Sequence, residues 1–299
     1  MGIWVDTDMG FDDLWALLML QANSFDVDGV SLVSGNTEID QVVKNAIAAN
    51  QVFKMGWPLY KGADKPLRKA PQTATNILGA NGMRSRGQEL PELPSQELPP
   101  ALPALLNWLR STSAQHTVLA LGPLTNLAAL ANHHPAAFNK IDRIIWMGGS
   151  SGPGNHSPYA EFNALADAEA VAIVLRKAVR IDIVDLQICR KVVFGEHDMP
   201  TQLTPLLSDL LGGYLDIALQ RNRTAMAIYD PLAALALIDA QSIRFEPYGI
   251  SVNTSEKDKH GMTEFTRQSR SNCALAVSAA TDCASRCLNG LREASELVH

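Results

Sequence analysis

Residues 3–20 constrain the fold more than any other stretch of this chain. Ile3-Trp4-Val5 is an apolar run suited to a buried strand, and Leu14-Trp15-Ala16-Leu17-Leu18-Met19-Leu20 reads as the start of a helix packed on it. Between them lie Asp6, Asp8, Asp12 and Asp13, four carboxylates within eight residues. Asp12 and Asp13 fall in the first turn of the helix, where the helix dipole favours anions. Asp6 and Asp8 occupy the strand tip, and Gly10 permits the tight turn that brings the two pairs together. Carboxylates held so close repel unless they share a cation or keep protons. Oxygen-only donors, with no His or Cys nearby, suit a hard ion such as Ca²⁺ or Mg²⁺. A helix cap with solvated acids would account for one Asp pair; four on one strand–turn–helix favour the cation.

Downstream, short apolar strands alternate with helical patterns. Strands are predicted at 29–33, 58–60, 116–121, 141–147, 179–186 and 274–279, with a strand pair within 249–266. Helices are predicted at 39–53, 102–109, 166–177, 203–221 and 230–238 and at the C-terminus. Residues 64–100 are irregular and rich in Pro, Gly, Gln and Asn, as expected of a functional loop. This rhythm predicts a single α/β domain spanning 1–299, with a mostly parallel central sheet flanked by helices and a helical cap in the last third. Ligands in such sheets gather at the carboxyl ends of the strands. The polar punctuation falls there: the Asp cluster, Ser34-Gly35-Asn36, Leu121-Gly122-Pro123 and Met147-Gly148-Gly149.

A hydrophobic fraction of 46% over 299 residues supports a large core. The net charge of −6, without a Lys/Arg run, argues against a nucleic-acid partner. No apolar stretch is long enough for a membrane span, and a core strand begins almost at Met1, which predicts no secretory signal. Cys189, Cys273, Cys283 and Cys287 show no metal-binding pattern with His and read as buried or semi-buried free thiols of a cytoplasmic protein.

Seven motifs together, in order along nearly the whole chain, resemble the calcium-dependent nucleoside hydrolase family, of inosine/uridine-preferring type. They are Asp6-Thr7-Asp8-Met9-Gly10-Phe11-Asp12-Asp13, Gly35-Asn36, Gly62-Ala63-Asp64-Lys65-Pro66-Leu67, Gly122-Pro123-Leu124-Thr125-Asn126, Met147-Gly148-Gly149, Gly154-Asn155 with Ala160-Glu161-Phe162-Asn163, and Tyr229-Asp230-Pro231. The resemblance implies a Rossmann-like nucleoside hydrolase fold, with 64–100 as a mobile active-site loop. It implies cleavage of the N-glycosidic bond of ribonucleosides to ribose and free base by a Ca²⁺-bound water that Asp8 activates. Asp8, Asp13, Asp230 and the main-chain carbonyl of Leu121 would be the Ca²⁺ ligands. Asp12, Asn36, Met147, Asn155, Glu161, Phe162 and Asn163 would bind substrate, and Asp6 would orient the ligands. A small-molecule nucleoside partner and a homo-oligomer, dimer or tetramer, follow from the same resemblance.

Two positions depart from the family pattern. Tyr229 and Leu78 stand where many members carry a histidine that can serve the departing base. Tyr229 could donate through its phenol or stack on the base, and His156, beside Asn155, either approaches the site or lies on the surface. Asp167 reads as a helix cap. The same residues admit two rival readings. Asp6-Thr7-Asp8 after a strand also resembles a Mg²⁺-dependent aspartate-nucleophile phosphatase or phosphotransferase, which leaves Asp12-Asp13 without a role. The missing histidines would also fit a non-catalytic Ca²⁺-stabilised nucleoside-binding protein.

Overall fold

The computed structural model describes residues 2–110 and 115–297. Its strands are β1 (Gly2–Thr7), β2 (Gly29–Leu32), β3 (Leu59–Lys61), β4 (His116–Ala120), β5 (Arg143–Met147), β6 (Arg180–Val184), β7 (Val193–Gly195), β8 (Ala225–Ala227), β9 (Ile243–Val252), β10 (Thr263–Arg267) and β11 (Cys273–Ala279). Nine of them form one sheet in the order β10-β9-β11-β6-β5-β4-β1-β2-β3. The pairs β11–β9 and β9–β10 are antiparallel and the others parallel. From β1 the chain winds outward through β2 and β3, then returns to β4 on the other side of β1. The crevice between β1 and β4 is therefore the switch point of a doubly wound sheet, where ligands bind.

The strands read as continuous apolar runs because both faces of the sheet are covered. Ile3 and Val5 of β1 pack into one core with Leu119, Ile145 and Met147, whereas Trp4 points into the other with Val118, Ile144 and Trp146. The helix Phe11–Ala22 is buried along almost its whole length, and its Trp15 Nε1 donates to the Cys287 carbonyl at 2.8 Å. Burial on all sides explains its unbroken hydrophobicity and holds the Asp12-Asp13 end rigidly against the sheet.

The helices expected at 39–53, 102–109, 203–221 and 230–238 occupy Ile39–Val52, Ala101–Arg110, Pro205–Leu219 and Asp230–Ile238. The one expected at 166–177 is two helices, Phe162–Ala166 and Ala168–Leu175, divided at Asp167, whose φ of −147° is not helical. The Asp167 carboxylate caps the second by accepting from Ala170 N at 3.0 Å, which bears out its reading as a cap. Within 64–100 lies one short helix, Thr75–Leu78. The cap over the crevice comes from Pro205–Leu219 together with the small antiparallel ribbon β7–β8, which the sequence did not signal. Among the described residues no helix is long and apolar enough to cross a membrane. The four cysteines are free and buried.

Candidate active site

A cleft opens at the carboxyl ends of β1 and β4. Eleven of the expected site residues line it: Asp8, Asp12, Asn36, Leu121, Met147, Asn155, Glu161, Phe162, Asn163, Tyr229 and Asp230. Asp13 and Asp6 are fully buried and do not line it.

Each carboxylate has a distinct setting. Asp6 accepts from Ser31 Oγ and, at 2.8 Å, from Asn126 Nδ2. Burial nonetheless pushes its pKa up to about 6. Asp8 is clasped by one residue, accepting from Asn36 N at 2.7 Å on Oδ2 and from Asn36 Nδ2 at 3.0 Å on Oδ1. Burial, and then the Asp13 charge, hold its carboxyl well above the usual range. This clasp needs the glycine before Asn36: a Cβ on Gly35 would lie 2.1 Å from Asp8 Oδ2. The turn after Asp8 is also strained, because Met9 sits at a φ of +46°, a left-handed conformation that disfavours side chains. Asp12 accepts from the Tyr214 hydroxyl at 3.0 Å, and burial raises its pKa against that pull. Asp13 accepts from Thr7 Oγ1, from Gly10 N at 2.9 Å and from Asn36 Nδ2 at 3.3 Å. Burial, and then the Asp12 charge, carry it to about 7. Asp230 opens its helix with Pro231 behind it. Burial and the charges of Asp13, Asp12 and Asp8 raise it strongly.

Oxygens of Asp12, Asp13 and Asp230 come within 4.8 Å of one another. The closest group thus contains Asp12 alongside the expected Asp13 and Asp230, with Asp8 beside it in the hold of Asn36. Among the described residues no salt bridge reaches any of these four aspartates. An all-oxygen set of buried like charges without a basic partner fits a hard divalent cation. Leu121 lines the same cleft, and its carbonyl accepts from Asn163 Nδ2.

The opposite flank is built from the turn after β5. Glu161 caps the helix Phe162–Ala166, accepting from Asn163 N at 2.7 Å, Gly149 N at 2.8 Å and Ala164 N at 3.0 Å. Burial outweighs these amides and lifts its pKa to about 7. Asn163 Nδ2 donates to the carbonyls of Leu121 at 2.9 Å and Met147 at 3.0 Å, binding the ends of β4 and β5 together. Asn155 Oδ1 accepts from Phe162 N at 3.0 Å.

The far wall is mostly outside what the sequence indicated. Ile77, Leu78, Ile217 and Met226 supply apolar surface beside Tyr229, and Arg190, Arg221 and Arg223 supply charge. Burial pushes the Tyr229 phenol up to about 12, against the pull of the Arg190 and Arg223 guanidiniums. His156 is exposed at the rim and also lines the cleft, its ring 5.2 Å from that of Phe162; partial burial lowers its pKa. Tyr214 gave no sequence signal, since one tyrosine among helical apolar positions reads as core. Only its contact with Asp12, across 202 residues of chain, reveals its place.

Against known proteins, the model of the family described as inosine-uridine preferring nucleoside hydrolase matches residues 3–286. An uncharacterized protein of Schizosaccharomyces pombe is 37% identical over 200 residues, 65% of this chain and 60% of that protein; the aligned region thus spans under two thirds of that relative. The non-specific ribonucleoside hydrolase RihC of Escherichia coli is 30% identical over 268 residues, 87% of this chain and 86% of its own. Among solved structures, a purine-preferring ribonucleoside hydrolase from Gardnerella vaginalis superposes with a TM-score of 0.88 at 21% identity, over 100% of this chain and 99% of that one. At that identity the likeness speaks for the fold alone.

Proposed function

Because this chain belongs to the inosine-uridine preferring nucleoside hydrolase family and hydrolyses the N-glycosidic bond of ribonucleosides, we propose that the cleft between β1 and β4 is where it does so. The observation that carries this reading is the set of buried aspartates meeting at the switch point of the sheet. We assign Asp13 and Asp230, with Asp8, Asp12 and the Leu121 carbonyl around them, to holding Ca²⁺. When bound, the ion supplies Lewis acidity for water and for the ribose hydroxyls, and neutralises the clustered carboxylates. Asp8 removes a proton from the attacking water, and the two bonds from Asn36 fix the direction in which its oxygens point. Asp12, held by Tyr214, anchors the sugar hydroxyls. Asn163, Asn155 and Met147 shape the sugar's other side, while the Glu161 carboxylate, taken up by three backbone amides, keeps that turn rigid. Negative charge beneath the ring stabilises the oxocarbenium character of the transition state. Tyr229 keeps its proton at working pH and donates a hydrogen bond to the departing base.

A phosphotransferase of the aspartate-nucleophile kind would place a lysine near the nucleophile, and no described lysine lines this cleft.

Release of free ribose from a panel of nucleosides, with and without a chelator, tests the assignment. Chelation should abolish release and re-addition of Ca²⁺ should restore it. Asp8→Asn should lower kcat by roughly 100-fold or more with little change in KM. Hydrolysis that survives chelation would remove the ion from the scheme, and an active Asp8→Asn variant would remove the base.

A further inference from the structure

Residues 89–99 contain three copies of Glu-Leu-Pro, at 89–91, 92–94 and 97–99, and none of these residues lines the cleft. Each proline fixes its own φ at about −65° and pushes the leucine before it into the extended region. Residues 88–99 are accordingly neither helix, strand nor turn, and each keeps a negative φ. Among the described residues, no backbone group from Glu89 to Leu98 bonds to another backbone group. An extended, proline-spaced backbone without internal bonds is a polyproline II helix, which turns once every three residues and rises about 3.1 Å per residue.

A three-residue repeat on a three-residue turn sends like side chains to like sides. The leucine of each copy is half-buried, whereas the glutamate and proline of each are exposed. Leu90 and Leu98 pack on the core, and Leu93 lies along the helix Ile39–Val52 beside Lys44. The leucines key this ridge to that helix, which leaves two outward edges, one of Pro91 and Pro94 and one of Glu89 and Glu92. Among the described residues no salt bridge reaches Glu89, Glu92 or Glu97. Where the ridge ends, Pro99 and Pro100 share a recess with Trp4 and Tyr60, whose rings stack at 5.3 Å. The chain thus sets aromatic surface of its own beside its last two prolines. No aromatic residue lines the recesses beside Pro91 and Pro94.

We infer that this ridge docks a protein module whose groove is lined by aromatic side chains and bordered by lysine or arginine. The rings take Pro91 and Pro94, and the basic border pairs with Glu89 and Glu92. The ridge is already ordered along the helix Ile39–Val52, so the entropy a free proline-rich peptide loses on binding is lost here at folding instead. The unpaired carboxylates set the sign of the partner, because a groove bordered by acids meets like charge.

Titration of the intact protein with two isolated domains tests this. One is an EVH1 domain chosen for lysines beside its aromatic groove, the other an SH3 domain whose groove is bordered by acids. The EVH1 domain should bind the intact protein, and more tightly than it binds the free peptide 88–100. The SH3 domain should bind roughly tenfold more weakly or not at all. Pro91→Ala combined with Pro94→Ala should weaken EVH1 binding by roughly tenfold or more. Glu89→Gln combined with Glu92→Gln should weaken it by about three- to tenfold and remove most of its salt dependence. Both double variants should melt cooperatively and release ribose as the unaltered protein does, because the exchanged side chains are exposed and lie outside the cleft. EVH1 binding that survives the proline exchange, equal binding by the SH3 domain, tighter binding to the peptide than to the intact protein, or no binding at all overturns the inference. Light scattering tests the competing occupant: a dimer that the proline exchange dissociates would assign the ridge to a second copy of the chain and overturn the inference as well.

Discussion

Tyr214→Phe isolates one bond at the heart of the cleft. Tyr214 is 3% exposed, its ring centroid lies 5.6 Å from that of Phe11, and its hydroxyl donates to Asp12 Oδ2 at 3.0 Å. Phenylalanine keeps the ring and its packing, so the change removes a single donor from a buried carboxylate. Hydrogen bonds to charged groups contribute about 1.5–3 kcal/mol, which corresponds to roughly 10- to 150-fold in an equilibrium constant. Asp12 anchors the sugar equally in ground and transition states in the scheme above, so the loss should appear in KM more than in kcat. The assay is initial-rate ribose release at saturating Ca²⁺ over a wide range of nucleoside concentration. A thermal melt serves as control and should move by only a few degrees, since the core contacts persist. An unchanged KM, or a fall confined to kcat, would refute the role of Asp12 as a ground-state anchor positioned by Tyr214.

Tyr229→Phe should lower kcat on nucleosides by roughly tenfold, the loss of one hydrogen bond to the leaving base. It should be silent on p-nitrophenyl riboside, whose leaving group needs no donor, and equal impairment on both substrates would show that the ring alone matters. Glu161 gives a stability prediction for the metal-free protein. Its folded pKa of about 7 exceeds the ordinary 4.5: below both values the proton is bound in either state, and as pH rises the unfolded chain releases it first. Its contribution therefore declines through that window, by about 3 kcal/mol at most. Melting temperatures of Glu161→Gln should fall less steeply with pH than those of the unaltered protein, and parallel slopes would show that this carboxyl is not a source of the decline.

The parts of the fold legible in the sequence were those with local periodicity. β1, its following helix and the strand-end motifs declared themselves because their hydrophobic runs and turn residues are contiguous. The ribbon β7–β8 did not, since strands of three residues carry too little pattern to stand out. The 166–177 helix was read through Asp167, whose capping role was visible but not the break it makes. The sugar side of the site was legible through clustered acids and Gly-Asn pairs, whereas the base side was not. Ile217, Met226 and Tyr214 resemble core, and Arg221 and Arg223 resemble any solvated turn, until the helix Pro205–Leu219 is laid across the crevice.

That helix also governs how the chain can change length. Cβ atoms added at Gly212 and Gly213 would meet Arg86 Cδ at 2.6 Å and the Arg84 carbonyl oxygen at 2.3 Å, so the 84–86 segment of the loop is seated directly on it. Arg86 Nη2 and Nε grip Asp216 at 2.7 and 3.1 Å, and Gln88 N donates to Asp209 Oδ2 at 2.7 Å. Toward the loop's start, Leu67 N is held by Asp167 Oδ2 at 3.0 Å and Ala74 N by Asn36 O at 3.0 Å; at its end, Lys61 N donates to Pro99 O at 2.9 Å. The segment is a strap buckled at several points rather than a flap on one hinge. Insertions and deletions are consequently confined to the spans between buckles, 68–73 and 89–98, while an added residue between Ala74 and Gln88 would slide Ile77 and Leu78 along the cleft and redraw the wall that faces the base.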